Sequence, residues 1–233
     1  MQSIGKGLTL VSKAAGVMLV FIGLAGCVRP AGEQPKARLP PTHPDAVSIG
    51  NQQWSVRNLA VKHYRNGDSI PYADTAEKLE RYGRSGVGAW MHVGGNSENE
   101  HEFGLLYNWF AATDLRGLAP QGWHVPTDTE WEQLDKSLGK QRAGHKMKVP
   151  TGWKNGGGGT NESGFSAVPA GFRHWGGEYS SDSIYGSWWT ATELGEDTYY
   201  AWFRGVGYDY SHMHKDRSSK QLGMSIRLIR DAR

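Results

Sequence analysis

Cysteine occurs once in the 233 residues, at Cys27. A lone thiol closes no intrachain disulfide, so the fold must be held by its core alone. If that thiol carries lipid, none remains for a thiolate metal site or for nucleophilic catalysis. Acidic residues are missing from the first 32 positions, which hold Lys6 and Lys13, then the apolar run Ala14 to Gly26, then Leu24-Ala25-Gly26-Cys27. As a helix, the apolar run would rise only about 20 Å against a hydrocarbon core of about 30 Å. A charged start, a short apolar stretch and small residues at the end make a cleavable leader covering residues 1–26. The small residues directly before Cys27 resemble the bacterial lipobox, in which the cysteine is acylated and becomes the mature N-terminus.

Basic clusters are also absent. Removing the leader takes away two lysines and no acid, leaving 24 bases against 23 acids. A nearly neutral chain without a basic stripe has no footprint for phosphates, so nucleic acid is not an expected partner. No G-x-G-x-x-G, P-loop, G-x-S-x-G or H-E-x-x-H occurs, and the glycines at 156–159 lack the Lys-Ser/Thr that completes a phosphate cradle. No catalytic residue and no cofactor are assigned on these grounds, and an enzyme is not expected.

Residues 27–46 hold five of the ten prolines and almost no large apolar side chain, the composition of a semi-extended tether. All ten tryptophans follow, within residues 47–233, a length suited to one domain. Short strands are expected at 53–56, 164–172, 187–192, 198–206 and 222–229. In the last, Met224, Ile226 and Leu228 alternate with Ser225 and Arg227, the pattern of a half-buried antiparallel strand. One helix is signalled by the capping box Thr127-Asp128-Thr129-Glu130, an apolar stripe of Trp131, Leu134 and Leu138, and a stop at Gly139. Residues 103–112 read equally as a buried strand or a short helix.

GNQQW (50–54), RNL (57–59), FGLLYNWFAA (103–112), RGL (116–118), PQGWHVPTDTEWEQL (120–134), TNESGFSAVPAGFR (160–173), SWWTATE (187–193) and LGMSIRLIRD (222–231) follow one another in an order that resembles the Fibrobacter succinogenes major paralogous domain. That family is similar to the C-type lectin-like fold and, distantly, to formylglycine-generating enzyme domains. The resemblance implies an α+β architecture of short twisted antiparallel strands, one or two helices and long loops. It also implies a bridge between positions where relatives often carry cysteine. This chain has Ala119 and Leu228 there. The oxidase chemistry of the wider fold needs active-site cysteines that this chain lacks.

Tryptophans 54, 109, 123, 131, 153, 188, 189 and 202 are read mostly as core, and strand alternation sends Trp188 and Trp189 to opposite faces, one of them a candidate for exposure. His124 is read as a structural, hydrogen-bonded histidine. His212-Met213-His214 has metal-like spacing with Asp209 and Asp216 nearby, but is read as solvated loop, with no metal assigned. Asn161, Glu162, Asp182, Glu193, Glu196 and Asp197 offer oxygen ligands without the triplets that mark calcium-dependent sugar binding. The stretches 173–187 and 206–220 mix Tyr, Ser, Gly, Asp and His as binding loops do. Their candidate partner-binding residues are Trp175, Tyr185, Trp189, Tyr208, Tyr210 and His212, expected to converge on one face.

The expected protein is a lipid-anchored lipoprotein of the bacterial envelope. Its membrane partner is reached through the N-terminal lipid, and its domain recognises a protein or glycan without catalysis. A structural or assembly role in the envelope is the alternative, and a hydrolase using loop carboxylates stands behind both. Val28 in place of aspartate after the cysteine favours the outer membrane. In growing cells, Cys27→Ser should abolish incorporation of a palmitate label and leave the leader uncut. Label on that variant would refute the anchor.

Overall fold

The computed structural model describes residues 44–180 and 183–230. The leader, Cys27 and nearly all of the tether lie outside the described residues. In chain order the elements are β1 (Ala46–Ile49), β2 (Gln52–Ser55), α1 (Ala76–Arg84), β3 (Trp90–His92), α2 (Glu100–Phe103), β4 (Leu105–Tyr107), α3 (Trp109–Ala112) and β5 (Trp123–His124). They continue with α4 (Asp128–Leu138), α5 (Ala143–Met147), β6 (Phe172–Arg173), β7 (Tyr179–Ser180), β8 (Tyr185–Glu193), β9 (Tyr200–Gly207), β10 (His214–Ser219) and β11 (Ile229–Arg230). The architecture is a mixture of short antiparallel strands and few helices.

Two sheets organise the chain. In the first, the order β1-β2-β11-β5 brings the two ends of the domain side by side. The second, β10-β9-β8, is an antiparallel meander. Helix α4 begins as its capping box requires: the Thr127 hydroxyl accepts from the Glu130 amide, and the Glu130 carboxylate accepts from the Thr127 amide at 2.8 Å. Its stripe of Trp131, Leu134 and Leu138 is buried. The Trp131 ring meets Trp54 at 4.6 Å, Phe165 at 5.8 Å and Trp188 at 5.9 Å between centroids, so one aromatic nucleus joins both sheets to the helix.

The segment 103–112 turns out to be both of the structures it resembles. Gly104, at φ 73°, lets the chain leave α2 for β4, and Asn108 then ends the strand. The Asn108 side chain caps α3 by accepting from the Ala111 amide, and it also accepts from the Ala89 amide across the fold. Four expectations need correcting. Residues 164–172 reach strand geometry only at Phe172, and residues 222–229 form isolated bridges before β11. Nor is that last segment half-buried, because Ser225 and Arg227 are as buried as Met224, Ile226 and Leu228. Trp188 and Trp189 do point to opposite faces, yet both are fully buried. Strand β8 runs between two hydrophobic clusters, one holding Trp188 with Trp54 and Trp131, the other holding Trp189 with Tyr107 and Leu228.

Arg227 explains why a cation can occupy the core. Its Nε donates to Asn58 Oδ1 at 2.8 Å, one terminal nitrogen to the Ser55 carbonyl at 2.7 Å and the other to the Ser166 carbonyl at 2.8 Å. The guanidinium also lies over the Phe165 ring at 4.4 Å. Burial pulls its pKa down to about 9, which leaves it charged at neutral pH. Asn58 Oδ1 additionally accepts from the Trp188 indole at 2.9 Å, so the network reaches β8.

Arg227→Lys keeps the charge but cannot reach three acceptors in a planar fork. It should lower stability by about 2 kcal/mol or more, since each buried acceptor left unmet costs about 1–3 kcal/mol; urea unfolding gives the value. Ala119 and Leu228 are both buried in the larger of the hydrophobic clusters, and the implied bridge needs them within about 7 Å of one another. If the correspondence holds, Ala119→Cys with Leu228→Cys should close a disulfide on oxidation, read as a mobility shift on non-reducing gels. A pair that stays reduced would break the proposed correspondence.

Candidate functional site: an aromatic cleft on the meander sheet

The register of the meander sheet determines which side chains share its open face. Tyr185 pairs with Gly207, Ser187 with Gly205 and Trp189 with Phe203, while Gly205 pairs in turn with His214. Residues directly opposite one another point to the same side. Tyr185, Ser187, Phe203 and His214 therefore stand together, and Phe172 from β6 joins them across the bridge between Gly171 and Gly186. Tyr210 and His212 complete the wall from the turn between β9 and β10. The cleft they enclose measures about 450 Å³, within the usual range of small-ligand sites.

Two glycines make the floor. A Cβ on Gly205 would overlap the His214 imidazole, and one on Gly207 would overlap the Tyr210 ring. Without them these rings could not lie down on β9, and the Tyr210 hydroxyl could not come within 2.6 Å of His214 Nδ1. Burial holds the His214 pKa below its ordinary value; Asp216 opposes the shift, while His212 and Arg204 reinforce it. Burial, with help from Tyr185 and Asp209, pushes the Tyr210 hydroxyl up, so the phenol stays protonated. At neutral pH the cleft thus carries no formally charged carboxylate, ammonium or guanidinium among its lining residues. Ser187 is only 3% exposed, and its hydroxyl makes no hydrogen bond among the described residues.

The turn that carries Tyr210 and His212 is clamped from behind. Lys148, 2% exposed, donates from Nζ to the Gly207 carbonyl at 2.6 Å and the Tyr210 carbonyl at 3.0 Å. The His145 amide donates to the Ser211 carbonyl at 2.9 Å, and Met213 anchors the far end in the core. Burial pulls the Lys148 pKa down.

Of the residues singled out from sequence, Tyr185, Tyr210 and His212 line the cleft. Trp189 does not. It shares the face of Ser187 and Phe203, but its ring is fully buried where that face is covered by the cluster of Tyr107 and Leu228, and its indole donates to the Tyr107 carbonyl at 2.9 Å. Tyr208 packs against the cluster of Trp131 and Trp188 rather than into the cleft. Trp175, 47% exposed, belongs to the turn between β6 and β7 and is not a lining residue. The expected convergence is therefore partial. Residues 206–220 are not one loop either, since β10 occupies 214–219. Phe172, Ser187 and Phe203 carry no signal of their own beyond the glycines alternating at 205 and 207, and His214, expected in a solvated loop, instead begins β10 and turns its ring into the cleft.

Other candidates are engaged elsewhere. His124 Nε2 lies 2.8 Å from Glu130 Oε1, the structural role expected of it. The Asn161 side chain bonds Ser166, Glu162 pairs with Lys146 at 3.2 Å, and Asp197 accepts from the Tyr199 and Tyr200 amides. Asp182 lies outside the described residues. Among the described residues no three His, Cys, Asp or Glu are grouped as a metal site, and no helix is long and apolar enough to cross a membrane. A second hollow of about 490 Å³ is rimmed by Glu98, Glu100 and Glu102, but Glu100 is taken by Lys62 at 2.9 Å.

No curated protein matches the chain, and no solved structure matches it. The family model described as the Fibrobacter succinogenes major domain matches residues 47–230, which include every strand of the meander sheet, every lining residue of the cleft and the Lys148 clamp behind it. The chain belongs to the Fibrobacter succinogenes major domain family.

Proposed function

We propose that this chain is a lipoprotein of the bacterial envelope, cleaved before Cys27 and held by lipid at the outer membrane, whose domain recognises a protein or glycan partner without catalysis. The leader and lipobox-like residues support the anchor. The domain reads as a variant of the C-type lectin-like fold, distantly similar to formylglycine-generating enzyme domains. The observation that carries the binding reading is the cleft of Phe172, Tyr185, Ser187, Phe203, Tyr210, His212 and His214, with its rim fixed by Lys148. Rigid rings around a few polar groups are the usual composition of a preformed ligand site. A hydrolase is poorly supported. Ser187 makes no hydrogen bond to His214, and His214 Nδ1 meets a phenol where a triad would place a carboxylate.

One observation favours the assembly alternative. On the opposite face of the sheet, Tyr200 is exposed, Arg217 lies 5.5 Å from its ring centroid, and Lys215 lies 3.9 Å from that of Trp202. Such a ladder suits contact with another subunit. The two readings separate by substitution. Tyr185→Ala should weaken capture of the envelope partner roughly thirtyfold, on the order of 2 kcal/mol for an aromatic anchor, with the thermal midpoint nearly unchanged. Capture lost instead with Tyr200→Ala and Arg217→Ala, and retained in Tyr185→Ala, would move the assembly reading ahead.

A further inference from the structure

We infer that the cleft receives a neutral ring bearing hydroxyls, a pyranose residue of a glycan, with one ligand hydroxyl bridging Ser187 and His214. This rests on the cleft being the ligand site. Three features select the ligand chemistry. The walls are aromatic: Phe172 and Tyr185 face each other at 6.4 Å between centroids, and Phe203 meets the His214 ring edge-on at 5.5 Å. Flat apolar surface of this kind accepts the C–H face of a saturated ring. Carboxylates, ammonium groups and guanidinium groups are absent from the lining residues, so a charged ligand would be buried without a counterion.

The third feature is the pair of polar groups on the floor. Ser187 and His214 sit on β8 and β10, on the same face, and only Gly205 stands between them. The Ser187 hydroxyl has no partner among the described residues, although its residue is almost wholly buried. His214 uses Nδ1 on Tyr210, which leaves Nε2 for something else. In the tautomer where Nδ1 accepts from the phenol, Nε2 carries the ring proton and donates. A group that accepts from Nε2–H can either accept from or donate to the serine hydroxyl, which does both. An alcohol does this; an ammonium or an aliphatic side chain cannot accept, and a carboxylate would meet no cation among the lining residues. The missing Cβ at Gly205 lets the His214 imidazole lie over β9, between the two strands. A peptide could bring aromatic or proline faces to the walls, but would supply that hydroxyl only through a serine, threonine or tyrosine.

The full chain should be titrated in detergent, with EDTA present, against methyl glycosides of glucose, galactose, mannose and N-acetylglucosamine and followed by saturation-transfer NMR. At least one glycoside should receive saturation at its ring C–H protons, and Ser187→Ala should weaken it about tenfold, as loss of one hydrogen bond to a buried partner does. Tyr185→Ala should abolish the transfer. His214→Gln, a second probe of the bridge, should also weaken binding. Protonation of His214 removes the acceptor that Tyr210 uses, and Tyr210, His212, Asp216 and Arg204 are the groups facing it. Binding should therefore be level from pH 7 to 8 and fall below the ordinary histidine range. Failure of all four glycosides, or binding unchanged in Ser187→Ala, overturns the inference. If the glycosides fail while Tyr185→Ala still abolishes capture of the envelope partner, the cleft remains the ligand site and only the ligand class is wrong. If Tyr185→Ala leaves capture intact, the cleft reading falls with it. Turnover of any glycoside would overturn the non-catalytic reading.

Discussion

A guanidinium with three neutral hydrogen-bond acceptors holds this domain together. Arg227 lies near the end of the domain, yet its donors reach Ser55 in the first sheet, Ser166 in the glycine-rich middle and Asn58, which hands the connection on to Trp188. A charge can be buried this way only if each of its nitrogens finds an acceptor, because a nitrogen left without one would carry its full desolvation penalty. The requirement runs in both directions. The strands must close for Arg227 to be tolerated, and Arg227 fixes how they close. A domain with no cysteine to spare for a disulfide thus obtains a polar staple between distant segments.

From that staple the packing follows outward. Trp188 is held by Asn58, and Trp189, its neighbour, by the Tyr107 carbonyl on the other side of β8. With both indoles fixed, β8 becomes a partition between two hydrophobic clusters, and its register with β9 is set. That register places Tyr185 and Ser187 beside the glycines of β9. The cleft is a consequence of how the core is divided, with its lining supplied by the same strand whose neighbouring side chains make the core.

Local signals were the ones legible in the sequence. The capping box at Thr127, the apolar stripe of α4 and the stop at Gly139 act within a few residues of one another, and all three appear in the structure as read. The family blocks likewise carried the recognition that the match over residues 47–230 supports. What escaped reading depends on partners far along the chain. The polar run His214 to Ser219 has no strand pattern of its own and is a strand because β9 pairs with it. Arg227 looks like the wet side of a final strand until the layer that covers it is known. Trp189 was a candidate for exposure because alternation gives direction but says nothing about what lies in that direction. Tyr185, Tyr210 and His212 were legible from the composition of their stretches, whereas Phe172, Ser187 and Phe203, and the place of His214 on a strand, depend on the pairing of β8, β9 and β10.

The clamp by Lys148 has a bearing on how relatives with this scaffold could diverge. Its ammonium grips main-chain carbonyls, at Gly207 and Tyr210, and the neighbouring amide of His145 grips another at Ser211. Carbonyls belong to the backbone and are present whatever side chain a position carries. The path of the turn is consequently indifferent to the identity of residue 210 or 212, whereas the chemistry displayed into the cleft is decided by them. Shape and specificity are thereby uncoupled at this rim, and a lineage could exchange one ligand for another by point substitutions there without first rebuilding the hairpin that presents them.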